Sequence, residues 1–326
     1  MPTGVTSAGF FSLIFKNPFM KTSASELTGM LLSSLWEGYL RRVPYARKYQ
    51  EMVTAHGGRL VIDHLAFRTL NFATGEQPAG IEALSHLLTH LGYHAAGSYR
   101  FDQQKLTAIH FEHKDERYPR FFVSQLEVAE LPEWARNLIH EAVMDTPYLL
   151  SDVAIELMNC LGLDGTVNEE AGEILAAELT GYFCRPWPMI SREAMLRIND
   201  VSQYAAWVLL HGNAVNHFAA AIHAQNVKEW PGIAETCQAL IHAGIPMKEE
   251  IEGDEGSLLR QSATLPVIES YLFPDAQGEE EMEWTYAYFE LTERGFTGCG
   301  SDRKLFPGFI TGQASQLFKM TRTRAN

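Results

Sequence analysis

Basic residues are in deficit in this chain: 26 Lys and Arg stand against 40 Asp and Glu, for a formal net charge of -14. A nucleic-acid groove needs clustered positive side chains to meet phosphates, so this balance argues against a nucleic-acid partner and for small-molecule chemistry. Cysteine is scarcer still. Cys160, Cys184, Cys237 and Cys299 lie far apart and form no CxxC pair, which speaks against a zinc knuckle or a dense disulfide framework and fits a reducing cytoplasm. No apolar run approaches the length needed to cross a bilayer, so no membrane partner is expected. The apolar piece "FFSLIF" near the start follows no basic leader and precedes no clear small-residue cleavage site. No signal peptide is expected there.

What is present is an ordinary globular composition, 46% hydrophobic and 20% charged over 326 residues, enough to bury a large core. Apolar groups at three- and four-residue spacing predict helices from about Ser23 to Gly57, broken at Pro44. The period then changes. From Leu60 come a strand "LVIDHLAFRT", a helix "GIEALSHLLTHLGY" and strands "HAAGSYRF", "LTAIHFEH" and "RFFVSQLEV", in the order β-α-β-β-β. Helical text returns from about Pro132 to Leu210 in "EWARNLIHEAVMD", "SDVAIELMNCLG", "NEEAGEILAAELTGYF" and "SREAMLRINDVSQYAAWVLL", each behind a Ser, Asp or Asn start.

A second β-α-β-β-β order follows: strand "NAVNHFAAAIHA", helix "EWPGIAETCQALIHAGI", then strands near "KEEIEG", "LLRQSATLPVIES" and "EWTYAYFELTE". One such unit offers a curved sheet face that it cannot bury alone, whereas two side by side can enclose a cavity. The expected organisation is one compact α+β domain. It comprises an N-terminal helical segment (1–58), a first βαβββ module (59–130), an all-helical insertion (131–211), a second module (212–295) and a closing C-terminal helix (296–326).

Alternation in a strand sets His64, Ala66 and Arg68 of "DHLAFRT" on one face and Leu65 and Phe67 on the other. The opening strand of the second module carries His217 in the place of His64, with Ala219 and Ala221 sharing its face. In "TYAYFELTERG", Glu290 shares a face with Tyr286 and Tyr288, and a carboxylate on so aromatic a strand is costly to bury unless something positive meets it. Two imidazoles and one carboxylate around a cavity make the facial triad of non-haem Fe(II), open to substrate and dioxygen. Zinc suits a three-ligand site with an open position equally well.

The paired modules resemble the vicinal oxygen chelate superfamily and its curved half-barrel. "DHLAFRT", "VNHF", "LLRQSAT" and "YFELTERG", in that order, resemble the 2-oxoadipate dioxygenase/decarboxylase family within it. The resemblance implies metal ligands at His64, His217 and Glu290, a substrate-carboxylate anchor at Arg68, and substrate-facing positions at Gln261 and Ser262. It further implies Fe(2+) as cofactor, with Zn, Ni or Mn able to occupy the site as isolated. A 2-oxo acid and O2 are the implied partners: 2-oxoadipate would become D-2-hydroxyglutarate with loss of CO2. At strand rise, His64 and Arg68 stand roughly 13 Å apart between Cα atoms, within the reach of one small diacid. The competing activity is that of a glyoxalase-type metal-dependent lyase or hydrolase.

Other polar groups have plainer readings. His86 and His90 have the spacing of a helical chelate, but "HLLTH" lacks the Glu of a metalloprotease; His110 and His113 read as packed or surface groups. His223 is the rival to His217. Glu293, beside Arg294 at the strand's end, reads as half of a solvated ion pair, and Tyr286 and Tyr288 read as core or pocket wall.

Overall fold

The structure is a computed structural model that describes residues 21–276 and 278–310. The apolar "FFSLIF" piece and the part of the expected closing helix beyond residue 310 lie outside the described residues; its first part, residues 296–310, is not an α-helix but folds back as a small hairpin of Phe296–Thr297 with Lys304–Leu305. After the short β1 (Lys21–Ser23), a capping box starts α1 (Ala24–Arg42): the Ser23 hydroxyl accepts from the Glu26 N–H, and the Glu26 carboxylate accepts from the Ser23 N–H. Pro44 then opens α2 (Pro44–Ala55). Its missing N–H costs nothing in a first turn, where no intrahelical acceptor exists.

The first module follows the expected order, with β2 (Ile62–Leu70), α3 (Gly80–His90), β3 (Tyr93–Phe101), β4 (Leu106–His113) and β5 (Arg120–Leu126). The insertion holds α4 (Glu133–Val143), α5 (Asp152–Asp164), β6 (Thr166–Asn168), α6 (Glu169–Tyr182), α7 (Arg192–Val201) and α8 (Gln203–His211). It is not purely helical, because β6 pairs antiparallel with β1. The run expected as one helix from Ser191 breaks at Ser202, whose extended backbone lets its hydroxyl cap α8 at the Ala205 N–H.

The second module is looser than its pattern suggests. It comprises β7 (Val215–Ala221), α9 (Ile233–His242), β8 (Leu259–Ala263), β9 (Ile268–Asp275), β10 (Gly278–Thr285) and β11 (Glu290–Arg294). "KEEIEG" forms no strand and contributes only a single bridge, Glu252 to Gln261, while Met247 just before it bridges Thr264. The strand expected over "EWTYAYFELTE" is interrupted. Its first half pairs with β9 in a separate hairpin, and the chain leaves the ladder at Tyr286. Its backbone still bonds Val267 and Thr264 outside the regular ladder, and side chains take two of its carbonyls: the Trp207 indole donates to that of Tyr286 and the Tyr39 hydroxyl to that of Tyr288.

The main sheet is mixed and seven-stranded, in the order β3-β4-β5-β2-β7-β11-β8, and curls into a half-barrel. The modules meet at the antiparallel β2–β7 pair, with β5 parallel to β2 on one side and β11 parallel to β7 on the other. One face is sealed by the N-terminal helices, where Trp36 and Tyr39 each sit 5.0 Å from the Phe218 ring and Tyr49 lies 5.2 Å from Phe289. Against the other face the insertion places α8. No helix of the described residues is long and apolar enough to cross a membrane.

Candidate metal centre

Register at the sheet centre builds the site. β2 and β7 pair so that His64 faces Ala219 and Ala66 faces His217, while β11 sets Glu290 against Ala219 from the other side. β8 adds Ala263 beside Glu290 and Gln261 beside Thr292. A row across the four strands therefore reads His64, Ala219, Glu290, Ala263, and methyl groups flank the carboxylate. The ligating atoms of His64, His217 and Glu290 all lie within 4.8 Å of one another, and all three side chains are buried.

Each imidazole is aimed by the residue before it. Nδ1 of His64 meets Oδ1 of Asp63 at 2.8 Å, and Nδ1 of His217 meets Oδ1 of Asn216 at 3.0 Å. An accepting oxygen at Nδ1 puts the ring proton there and leaves the Nε2 lone pair for a cation. Both Nε2 atoms turn to Glu290, at 3.5 Å from Oε1 for His64 and 3.3 Å from Oε2 for His217. Two metal bonds of about 2.1 Å at about 90–110° would separate their donors by about 3.0–3.4 Å. The spacing fits one shared ion.

Glu290 is held on one oxygen only. Oε1 accepts from Gln261 Nε2 at 2.7 Å and from the Thr292 hydroxyl at 2.8 Å. Oε2 is buried with no hydrogen-bond partner among the described residues. Burial pushes the Glu290 carboxyl up against the pull of His64, Thr292 and Gln261, and burial, helped by His64 and Arg68, drives the His217 imidazole well down. A cation between them would favour both the charged carboxylate and the neutral ring, so the donor set and its orphaned oxygen fit a divalent metal.

Arg68 follows His64 by four residues on β2 and lines the same cavity, with Phe122, Ser124 and Asn216 among its walls. Its guanidinium carbon sits 5.2 Å from the centroids of both Tyr204 and Trp207 on α8, and burial pulls its pKa down. Those rings give the cation a π-face at each contact in a dry setting. Tyr288 stacks on His217 at 4.7 Å, and Phe309 meets His64 edge-on at 4.9 Å.

The structure therefore gathers His64, His217, Glu290, Arg68 and Gln261 around one cavity. Ser262 is placed elsewhere, because alternation along β8 turns it to the opposite face from Gln261, where it contacts Cys237 of α9. Gln261 touches the carboxylate of Glu290 directly. His223 falls in a turn beyond β7 and receives the Arg294 N–H at 3.4 Å. Glu293 pairs with Arg260 and accepts from the Ile233 N–H at the start of α9, whereas its neighbour Arg294 is buried against Asp63. Tyr286 departs from its expected face to lie beneath the Arg42 guanidinium.

The plainer histidine readings have structural partners. His90 bonds the His86 carbonyl on the surface of α3, His113 binds backbone groups, and buried His110 bonds the Tyr99 hydroxyl at 2.8 Å. Sequence reasoning missed Asp63, Asn216, Arg294, Tyr204, Trp207 and Phe309. For the first two a signal existed: each module carries an acceptor side chain immediately before its His.

The profile of the 2-oxoadipate dioxygenase/decarboxylase family matches residues 32–325. The chain belongs to this family. A rice (Oryza sativa subsp. japonica) family member described as a chloroplastic/amyloplastic 2-oxoadipate dioxygenase/decarboxylase is 27% identical over 313 residues, spanning 89% of this chain and 78% of the relative. Among solved structures, a putative glyoxalase superfamily protein from Ralstonia eutropha superposes with a TM-score of 0.79 at 26% identity, over 89% of this chain and 87% of that one. Rice hydroxyglutarate synthase in complex with 2-oxoadipate shares the fold, with a TM-score of 0.71 at 24% identity over 92% and 93% of the two chains. This family member is a dioxygenase/decarboxylase-class enzyme with a buried His-His-Glu group able to hold a metal.

Proposed function

We propose that the protein is an Fe(II)-dependent oxygenase that converts 2-oxoadipate, or a close 2-oxo diacid, to the 2-hydroxy acid one carbon shorter. The carrying observation is the meeting of His64, His217 and Glu290 in one buried cavity with Arg68. The reaction balances without a further reductant: one 2-oxoadipate and one O2 give one D-2-hydroxyglutarate and one CO2. Bound iron supplies the one-electron chemistry that lets dioxygen react with a closed-shell acid.

The chain's own residues have separate tasks in this reading. Asp63 and Asn216 hold the two imidazoles, and Gln261 and Thr292 hold the Glu290 carboxylate. Arg68 offers its fork of donors to the distal carboxylate, which sets the preference for a diacid. Phe122 and Phe309 keep the reacting end dry, their rings 4.7 Å apart. No side chain is asked to act as nucleophile.

Protein prepared without air and then given Fe(II), air and 2-oxoadipate is expected to consume O2 and release CO2 in equal amounts. No turnover across a panel of 2-oxo acids would remove the proposal. Turnover that persists in strict anaerobiosis would favour a glyoxalase-type lyase.

A further inference from the structure

Arg294 is a buried cation with an unusual distribution of partners. Its Nε and Nη2 grip the Asp63 carboxylate at 2.6 and 2.8 Å, and that carboxylate is the group that accepts from the His64 ring. Its Nη1 donates to the carbonyls of Phe306 at 3.0 Å and Gly308 at 2.7 Å. Those carbonyls flank the approach to Phe309, whose ring closes over His64. The segment reaches Arg294 because a small hairpin of Phe296–Thr297 with Lys304–Leu305 folds the chain back, and the Phe306 N–H bonds the Gly295 carbonyl at 2.9 Å.

From this geometry we propose that Arg294 is a positioning residue that ties the orientation of His64 to the seating of the Phe306–Phe309 strap over the cavity. The inference rests on the metal reading above. One planar guanidinium spans two structures that are far apart in sequence, so displacement of the strap pulls on the group that aims the ligand, and displacement of Asp63 loosens the strap. Lysine cannot replace it. An ammonium can balance the Asp63 charge but cannot hold a carboxylate on two prongs and two carbonyls in one plane. Loss of a purely stabilising ion pair would instead lower the melting temperature without altering the metal's surroundings.

The test uses the full chain stripped of metal and titrated with Co(II), whose visible absorption reports ligand geometry, with amide hydrogen exchange followed over residues 306–309. Arg294→Lys is expected to weaken Co(II) binding by about 10- to 100-fold, the range seen when groups behind a metal ligand are changed, to alter the absorption bands and to speed exchange in the strap. Asp63→Asn touches neither strap carbonyl, yet it too is expected to speed exchange there. That variant decides the matter should Arg294→Lys fail to fold. Co(II) bands and exchange rates unchanged from those of the unsubstituted protein would overturn the coupling. An unsubstituted protein that takes up no Co(II) would instead overturn the metal reading on which it rests.

Discussion

His64 and Glu290 stand on either side of the same residue: each is the register partner of Ala219, one across an antiparallel ladder and the other across a parallel one. The methyl group between them is what leaves space for an ion. Ala219→Val would fill that space with two further methyl groups in a position with no exposed surface. Overpacking of this kind costs about 1–3 kcal/mol. The expected outcome is a lower melting temperature together with loss of metal uptake, checked by calorimetry and metal analysis on one preparation.

Removing a ligand charge separates binding from stability. Glu290→Gln keeps the shape and the bond to Thr292 while deleting a buried carboxylate whose pKa burial already pushes up. It is expected to abolish metal retention and to raise the stability of the metal-free protein, because the desolvation cost of the charge disappears. A denaturant titration beside a metal assay shows both effects; retained metal would contradict the ligand assignment. His64→Ala is expected to lose metal too.

Arg68 is expected to behave differently from the triad. Arg68→Met should leave metal content intact and raise KM for 2-oxoadipate by about 30-fold or more, since truncating one side of a buried, hydrogen-bonded charge pair costs about 2–5 kcal/mol. A 2-oxo monoacid of similar length should lose little by the same change. If the variant instead emptied the metal site, Arg68 would belong to the ligand scaffold and the division of tasks would be wrong.

Acid should destabilise the protein partly through His110. Burial lowers its pKa to about 4, against the pull of Glu112. In the unfolded chain the ring titrates near its usual value of about 6.5. Between these values the unfolded state binds more protons, so stability falls as pH drops from about 6.5 to about 4, by at most about 3 kcal/mol from this group. Urea midpoints across that window should therefore slope less steeply in His110→Asn than in the unsubstituted chain.

The strand of His64 shows how much of the site was legible before folding. Alternation is a local property of an extended backbone, so the shared face of His64, Ala66 and Arg68 follows from letter order, as does the opposite placement of Gln261 and Ser262. That placement in turn contradicts the joint substrate-facing reading of those two residues. The interruption after Thr285 was not legible, because it depends on Trp207 and Tyr39 reaching carbonyls far along the chain. Nor was the pairing of Arg294 with Asp63 across 231 residues, which an adjacent Glu293 disguised as a surface ion pair.

By itself, then, the sequence determined most of the elements, the faces their side chains share and the polar residue set before each ligand His, because these depend on backbone periodicity within a few residues. The tertiary structure alone decided that β2, β7 and β11 pair in the register that brings three donors around one methyl group, since register is settled by which distant apolar faces are buried together. It alone decided that α8 flanks Arg68 with aromatic rings and that Phe309 covers His64. Those contacts join segments with no local relation, and the burial of one against another is what creates them.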